Sequence, residues 1–468
     1  MSERLRQWLC GLALAATAGS AAATTWYVRP DGGSAAECSG RADAPRGSGE
    51  DCAWSHPFIA LPPAGEPRIA GGDTLRIAPG SYRMGLGAPG AQACAPEWAW
   101  DCHMPPIPSG PSADRPTVIS GGGTDGACDT KARPELWGSE RSARVVNLEG
   151  SSNVALRCLE ITDHGSCVEH HCHGGNCEGE VAACSRDAPP FGDWAGTGVY
   201  ARDSRNVSIS DVDVHGLAVR GFHVGGARDW RLERVRIIGN GWSGWDGDLG
   251  EGDSANAGTL RFVDVEIAWN GCAERWPDGG HFGCWAQQTG GYGDGLGTAS
   301  TGGHWIFEGG SVHHNTSDGL DLLYLEPGGR VEIEGLRAFA NAGNQVKTSG
   351  DATLVDSDID GSCGYFADGE GLSKNMLEGD HCRALGNAVV VAVSPGAKVE
   401  LRGNRIGGNG DCLVVAEGGD SDAEVRLVDN SLQGGPRFTD RSEQPCGFYA
   451  HQSDARVVRR NHRARGVR

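Results

Sequence analysis

Val207-Ser-Ile-Ser-Asp-Val-Asp-Val214 and, 23 residues later, Trp230-Arg-Leu-Glu-Arg-Val-Arg-Ile237 decide the fold of this chain. Each carries apolar residues at relative positions 0, 2, 5 and 7. The 0,2 and 5,7 pairs read as two short strands with alternate residues inward, and the step between them as a bend. The pattern returns at Val154, Leu260, Trp305, Val331, Val399 and Val425, with weaker copies at Ala352 and Leu377. Starts differ by 23, 26 and 21 residues (207 to 230, 305 to 331, 331 to 352), with longer gaps where a loop is inserted. A period of this length, with Gly, Asn and Asp at the bends, describes an all-β chain coiled as a parallel β-helix, a single-stranded solenoid. Leucine-rich repeats have a similar length, but their leucine and asparagine signature is missing. Each coil buries its inward residues only against its neighbours, so the stack needs many coils and protected ends.

Residues 24–135 are expected to form the N-terminal cap and first coils. They contain Trp26-Tyr-Val-Arg-Pro-Asp31, Gly72 to Tyr82 and Arg115-Pro-Thr-Val-Ile119, separated by Pro/Gly-rich loops with five cysteines. Residues 136–440 form the core, with the candidate site at 292–347. Residues 441–468 form a C-terminal segment whose arginine-rich end, Arg456 to Arg468, reads as a solvated, frayed tail.

Arg4, Arg6, the apolar run from Trp8 to about Ala18 and Ser20-Ala-Ala-Ala23 read as a secretory signal over 1–23. The run is too short to span a bilayer, and no later stretch is long and apolar enough. Cys10 is lost with the signal, which leaves sixteen of the seventeen cysteines. An even number in an oxidising compartment favours disulfides, a secreted protein and insertions stapled by bridges. The formal charge of −20 argues against nucleic acid as a partner. It also disfavours long-range attraction of an acidic polysaccharide, so such a substrate needs local cations. A monomer is expected.

The coil starts give every residue a coordinate. Thirteen to sixteen residues after a start comes a slot of the form x-Gly-apolar-x: Arg220-Gly-Phe-His223, Ser243-Gly-Trp-Asp246 and Asp318-Gly-Leu-Asp321, then Asn344-Gln-Val-Lys347. The coil starting at Leu260 reaches its slot, Asp294-Gly-Leu-Gly297, 21 residues late, and removing those 21 leaves a coil of 24. Two outward-facing ladders are therefore expected: Arg220, Ser243, Asp294, Asp318, Asn344, and His223, Asp246, Gly297, Asp321, Lys347. Rungs lie roughly 4.8 Å apart. A bend near Gly319 must bring Asp318 and Asp321 to one side. Asp294, Asp318 and Asp321 then converge beneath Lys347, and oxygen-only ligands favour Ca2+, completed by water and a substrate carboxylate. Asp-Gly pairs also serve as plain turn residues.

Asp294-Gly-Leu296, Asn315-Thr-Ser-Asp-Gly-Leu-Asp-Leu322 and Gly343-Asn-Gln-Val-Lys347 resemble the motifs of polysaccharide lyase family nine, the pectate lyases and their relatives. The match covers about 55 residues. The resemblance implies a right-handed parallel β-helix, calcium ligands at Asp294, Asp318 and Asp321, and a catalytic base at Lys347. Ser317 stands where the family has a further Asp ligand, a departure that weakens the expected metal site. The implied reaction is β-elimination on a uronate polymer, with an alkaline optimum and sensitivity to chelators.

Arg220, His223, Trp245, Asp246, Trp285, Tyr292 and Asn344 are candidates for contact with an acidic polysaccharide. For Arg220, His223 and Asp246 the alternative is a surface side chain or local salt bridge. The 21-residue insert holds Cys272, Trp276, Cys284, Trp285 and Tyr292. A Cys272–Cys284 bridge would brace an aromatic loop that either stacks on sugar or covers the side of the β-helix. Cys167, Cys172, Cys177 and Cys184 with nearby histidines lack paired CxxC spacing, so two disulfides are expected there in place of zinc. Asp246, Asp248, Glu251 and Asp253 read as a solvated turn. A polygalacturonase-type hydrolase would need paired carboxylates, and a non-catalytic carbohydrate-binding or surface β-helix would keep the groove as scaffold.

Overall fold

In a computed structural model, residues 23–122, 127–169, 183–250, 252–285, 292–362, 365–366, 386–435 and 446–460 are described. The signal segment, Cys10, Cys172, Cys177, His170, His171, His173, Glu251 and the start at Leu377 lie outside them. So do residues 461–468 of the basic tail.

The repeat start is one continuous column of parallel partners. Val154 pairs with Val207, Val207 with Trp230, Trp230 with Leu260, and Leu260 with Trp305. The column continues through Val331, Ala352, Val399 and Val425. Ala352 pairs directly with Val399. The 5,7 half of the repeat forms a second column, through Ile161, Val214, Ile237, Ile267, Val312, Ala338 and Ile359. The slot forms a third, through Phe222, Trp245, Leu296, Leu320 and Val346. The described residues thus form parallel sheets of 13, 11 and 10 strands, the three faces of a parallel β-helix. The opening segments belong to it: Thr25–Gly33 pairs with Thr74–Ile77, and Thr74–Ile77 with Thr117–Ser120.

The bend between the first two faces has one physical cause. The residue four after each start adopts a left-handed backbone: Cys158, Asp211, Arg234, Asp264, Gly309, Gly335, Asp356, Gly403 and Asp429 all have φ between 48° and 68°. One such residue turns the chain sharply, and Asp and Gly tolerate the conformation best. Inside, Trp230, Trp245 and Trp305 are fully buried with Phe222 and Phe262, and Phe222 and Trp245 stack at 5.4 Å.

A second internal support comes from asparagines ten residues after the starts. Asn240, Asn270, Asn315 and Asn341 form a buried ladder, each Nδ2 donating to the next Oδ1 at 2.8–2.9 Å, and Asn341 donating to Gln345 Oε1 at 2.7 Å. The slot glycines follow from it. A Cβ at Gly319 would lie 2.4 Å from the Gln345 carbonyl and 2.7 Å from Asn341 Nδ2, and Gly295 and Gly244 are equally close to the next coil.

Six disulfides staple the described chain: Cys38–Cys52, Cys94–Cys102, Cys128–Cys158, Cys167–Cys184, Cys272–Cys284 and Cys412–Cys446. This chemistry belongs to an oxidising compartment. Among the described residues no helix is long and apolar enough to cross a membrane. The start of the basic segment is not frayed: Arg456–Arg460 is a strand paired with Glu424–Val428, so the last coil is closed by backbone hydrogen bonds.

Candidate active-site cleft

The third sheet carries an open cleft of about 1190 Å³. Its outward column has the register expected from spacing: His223 pairs with Asp246, Asp246 with Gly297, Gly297 with Asp321, and Asp321 with Lys347. The bend needed at Gly319 is present. Asp318 lies just before the strand Leu320–Leu322, so Asp318 and Asp321 reach the same point. Lys347 Nζ donates to Asp318 Oδ2 at 2.9 Å and to Asp321 Oδ2 at 2.6 Å.

Of the other expected ladder, Arg220, Ser243, Asp294 and Asp318 line the cleft, but its carboxylates are largely buried. Asp294 and Asp318 are only 3% and 2% exposed, and their carboxylates cap the next coil. Asp294 Oδ1 accepts the Asp318 N–H at 3.0 Å. Asp318 Oδ1 accepts both the Asn344 N–H and Nδ2, at 2.6 and 2.9 Å. Asn344 Oδ1 accepts the N–H and Nδ2 of Asn387. Asn344 is therefore a rung of this ladder, and it is not among the residues that line the cleft. Ser317 is 0% exposed and is not among the residues that line the cleft. Asn315 belongs to the asparagine ladder.

Burial alone would pull Lys347 towards neutrality, but the carboxylates of Asp318 and Asp321 outweigh it and hold the ammonium well above its ordinary range. Burial, followed by repulsion from Asp318, pushes the Asp321 carboxyl up, while Lys347 pulls it down, and the upward effects prevail. Two carboxylates thus focus on one cation, and that cation is the lysine itself. The donors are all oxygen, which suits a hard divalent ion such as calcium. Of the three expected carboxylates, Asp294 gives Oδ1 to the Asp318 amide and Asp318 gives Oδ1 to Asn344, and all three line the cleft. Among the described residues no group of three or more His, Cys, Asp or Glu is arranged to hold a metal. Asp318 and Asp321, which share Lys347, are the carboxylates that could hold such an ion.

At the other end of the cleft Arg220 forms an ion pair with Asp246 and lies over the Trp242 ring at 5.0 Å. His223 Nε2 contacts the Asp248 carbonyl at 2.8 Å, and burial first, then Arg220, hold its pKa below the ordinary value. Asp248 and Asp253 accept nearby backbone N–H groups, as a solvated turn does.

Three aromatic expectations need correction. Trp245 is 0% exposed because the apolar slot position points inward. Tyr292 is buried, stacked on Trp242 at 5.2 Å and edge-on to Trp285 at 4.4 Å. Trp285 packs on Tyr292 and does not line the cleft, so the pair braces Trp242. The insert instead covers the side of the β-helix. Its strands Ala273–Arg275 and Gly280–Phe282 form a hairpin, Glu274 pairs with His215 at 2.8 Å, and Trp276 stacks on His164 at 4.1 Å. His164 in turn stacks on Trp137 and contacts Glu135, which leaves it no role in a zinc site. Sequence reasoning missed Trp242, one residue before its slot, and Tyr324, three residues after Asp321; both line the cleft.

The sequence matches no protein-family model and no curated protein. Solved structures share the architecture at low identity. The A-module of a mannuronan C-5 epimerase, AlgE4, from Azotobacter vinelandii is 13% identical, over 84% of this chain and 91% of that one, with a TM-score of 0.41. Pectate lyase Pel9A is 13% identical, over 93% and 80%, with a TM-score of 0.41. An alginate lyase from a Paenibacillus species is 12% identical, over 83% and 94%, with a TM-score of 0.40. The fold assignment rests on the strand pairing above, and the likeness to polysaccharide lyase family nine stays a resemblance of three motifs.

Proposed function

We propose that the chain is a secreted polysaccharide lyase that cleaves a uronate-containing, pectate-like polymer by β-elimination. The observation that carries this reading is Lys347, projecting into an open cleft between Asp318 and Asp321, with Arg220 as a second cation farther along the stack. Four rungs separate the two cations, roughly 19 Å at the inter-strand spacing. That distance matches several sugar units lying along the solenoid. Arg220 orients one carboxylate of the polymer, as guanidinium groups do.

In the chemical step, the neutral Nζ of Lys347 takes the proton from the carbon bearing the uronate carboxylate. The C–H electron pair forms the new double bond, and the glycosidic oxygen leaves with its bonding pair and is protonated by water. Neutral Nζ is the costly species, because Asp318 and Asp321 both favour the ammonium. The carboxyl of Asp321, 2.6 Å away and itself pushed up, is the nearest acceptor for that proton. Calcium held by Asp318 and Asp321 would neutralise both and stabilise charge developing on the uronate. An alkaline optimum follows from the same electrostatics.

One observation favours a second reading, binding without turnover: two carboxylates hold Lys347 charged in the free protein. Incubation with polygalacturonate and alginate separates the readings. A lyase releases an ultraviolet-absorbing unsaturated uronide, a hydrolase releases reducing ends without that absorbance, and a binder releases neither. The first outcome is expected, with loss of turnover in Lys347→Ala; full activity in that variant excludes Lys347 as the base.

A further inference from the structure

Tyr324 is 59% exposed and lies on the wall of the cleft that holds Asp321 and Lys347. Among the described residues five large hydrophobic or aromatic side chains are 48–59% exposed, Tyr324 the most, and the other four have ring partners. Trp98 meets Trp100, Trp276 stacks on His164, Tyr365 meets His314, and Tyr449 meets His451. Tyr324 has none.

Its backbone is nonetheless held firmly. The Tyr324 carbonyl accepts the Thr301 N–H at 2.9 Å, and the Leu325 N–H donates to Ser349 Oγ at 2.8 Å. The Leu323 N–H donates to Asp321 Oδ1 at 3.2 Å. The carboxylate that binds Lys347 therefore also fixes the segment that presents the ring. An aromatic face kept in water, on a rigid support, beside two charged groups, suits the apolar C–H face of a sugar ring.

We infer that Tyr324 is the aromatic platform of the cleft, on which one sugar of the bound polymer stacks next to the Asp321–Lys347 pair. This rests on the cleft being a polysaccharide site. It adds a binding contact that needs no charge, and a strongly acidic protein requires such contacts to hold an acidic polymer.

The test uses the full chain as wild type, Tyr324→Ala and Tyr324→Phe. Each is measured for KM and kcat on polygalacturonate and alginate, and for retardation in gels containing these polymers or neutral xyloglucan. Tyr324→Ala is expected to raise KM, or weaken retardation, roughly three- to tenfold. Tyr324→Phe stays close to wild type, since the ring face and not the hydroxyl makes the contact. Thermal unfolding stays nearly unchanged in both variants, because the residue is 59% exposed and makes no ring contact among the described residues. Wild-type values in Tyr324→Ala, or equal damage in Tyr324→Phe, overturn the platform while leaving a measured lyase activity intact. Retention on xyloglucan alone, weakened by Tyr324→Ala, supports the platform and overturns the acidic-polymer reading. A wild type that neither cleaves nor is retarded by any of the three polymers overturns both.

Discussion

Asp321→Asn is the perturbation that most directly probes the cleft. Asp318 is the poorer choice, because its Oδ1 takes both hydrogen bonds from Asn344 and its loss loosens the junction between two coils. Among the described residues Asp321 accepts from Lys347 through Oδ2 and from the Leu323 N–H through Oδ1, and asparagine keeps one of these two acceptors. The substitution therefore removes the charge and one hydrogen bond. Two unit charges 2.6 Å apart, at an effective dielectric of about 20, attract by roughly 6 kcal/mol. At 1.36 kcal/mol per pH unit that gross figure corresponds to an upper bound of about five pH units. Solvent at the cleft mouth and the surviving Asp318 reduce it, and an opposite charge at such distances typically moves a neighbour by about one to three pH units. The neutral fraction of Lys347 below its midpoint should accordingly rise by roughly 10- to 1000-fold. The assay is kcat/KM from about pH 6 to pH 11, followed by product absorbance. The acid limb should move down by about one to three pH units, with a plateau within about tenfold of wild type. An unmoved limb means that Lys347 is not the titrating group. Loss of activity at every pH means that the roles proposed for Asp321 as proton acceptor and calcium ligand outweigh the restraint it places on Lys347, and refutes the predicted shift.

Other outcomes follow from the same geometry. Calcium and the Lys347 ammonium compete for Asp318 and Asp321, so Lys347→Met should bind calcium more tightly than wild type by titration calorimetry; weaker binding would place the metal elsewhere. In Gly297→Val the Cβ falls 2.9 Å from Asp294 Oδ2, and the side chain fills the gap between Asp246 and Asp321. Its turnover should drop by about tenfold or more with far-ultraviolet circular dichroism unchanged. Asn315→Ala strands buried partners on Asn270, Asn341 and Ile267, and should cost roughly 3 kcal/mol or more in urea unfolding. A cost below about 1 kcal/mol would show that the ladder does not bear on stability. His215 sits between Glu160 and Glu274; burial pulls it down, but the two carboxylates raise it to about 10. Its contribution to stability is fully present below about pH 6.5 and is lost as pH rises through about 10. The melting temperature should fall across that window, and less steeply in His215→Gln.

The coil register was readable from spacing because each coil must stack its apolar residues on those of the next. Removing the 21-residue insert correctly pairs Asp246, Gly297, Asp321 and Lys347, and the Cys272–Cys284 bridge was expected from the insert itself. The asparagine ladder left a signal too, at ten residues after four consecutive starts, but a polar residue at a bend reads equally well as a turn. Trp245 was misread against the slot's own pattern, which turns the apolar position inward.

By itself, then, the sequence determined which residues share a rung, since a period of apolar positions can stack in only one register without exposing the core. Tertiary structure decided where the side chains at the bends point. Asp294 and Asp318 each commit one carboxylate oxygen to an amide of the neighbouring coil, Asp318 gives its other oxygen to Lys347, Asp321 and Lys347 turn out into the cleft, and the insert folds back over the flank. Those choices depend on which buried N–H groups lack a partner, and the partners come from coils 20 to 45 residues away.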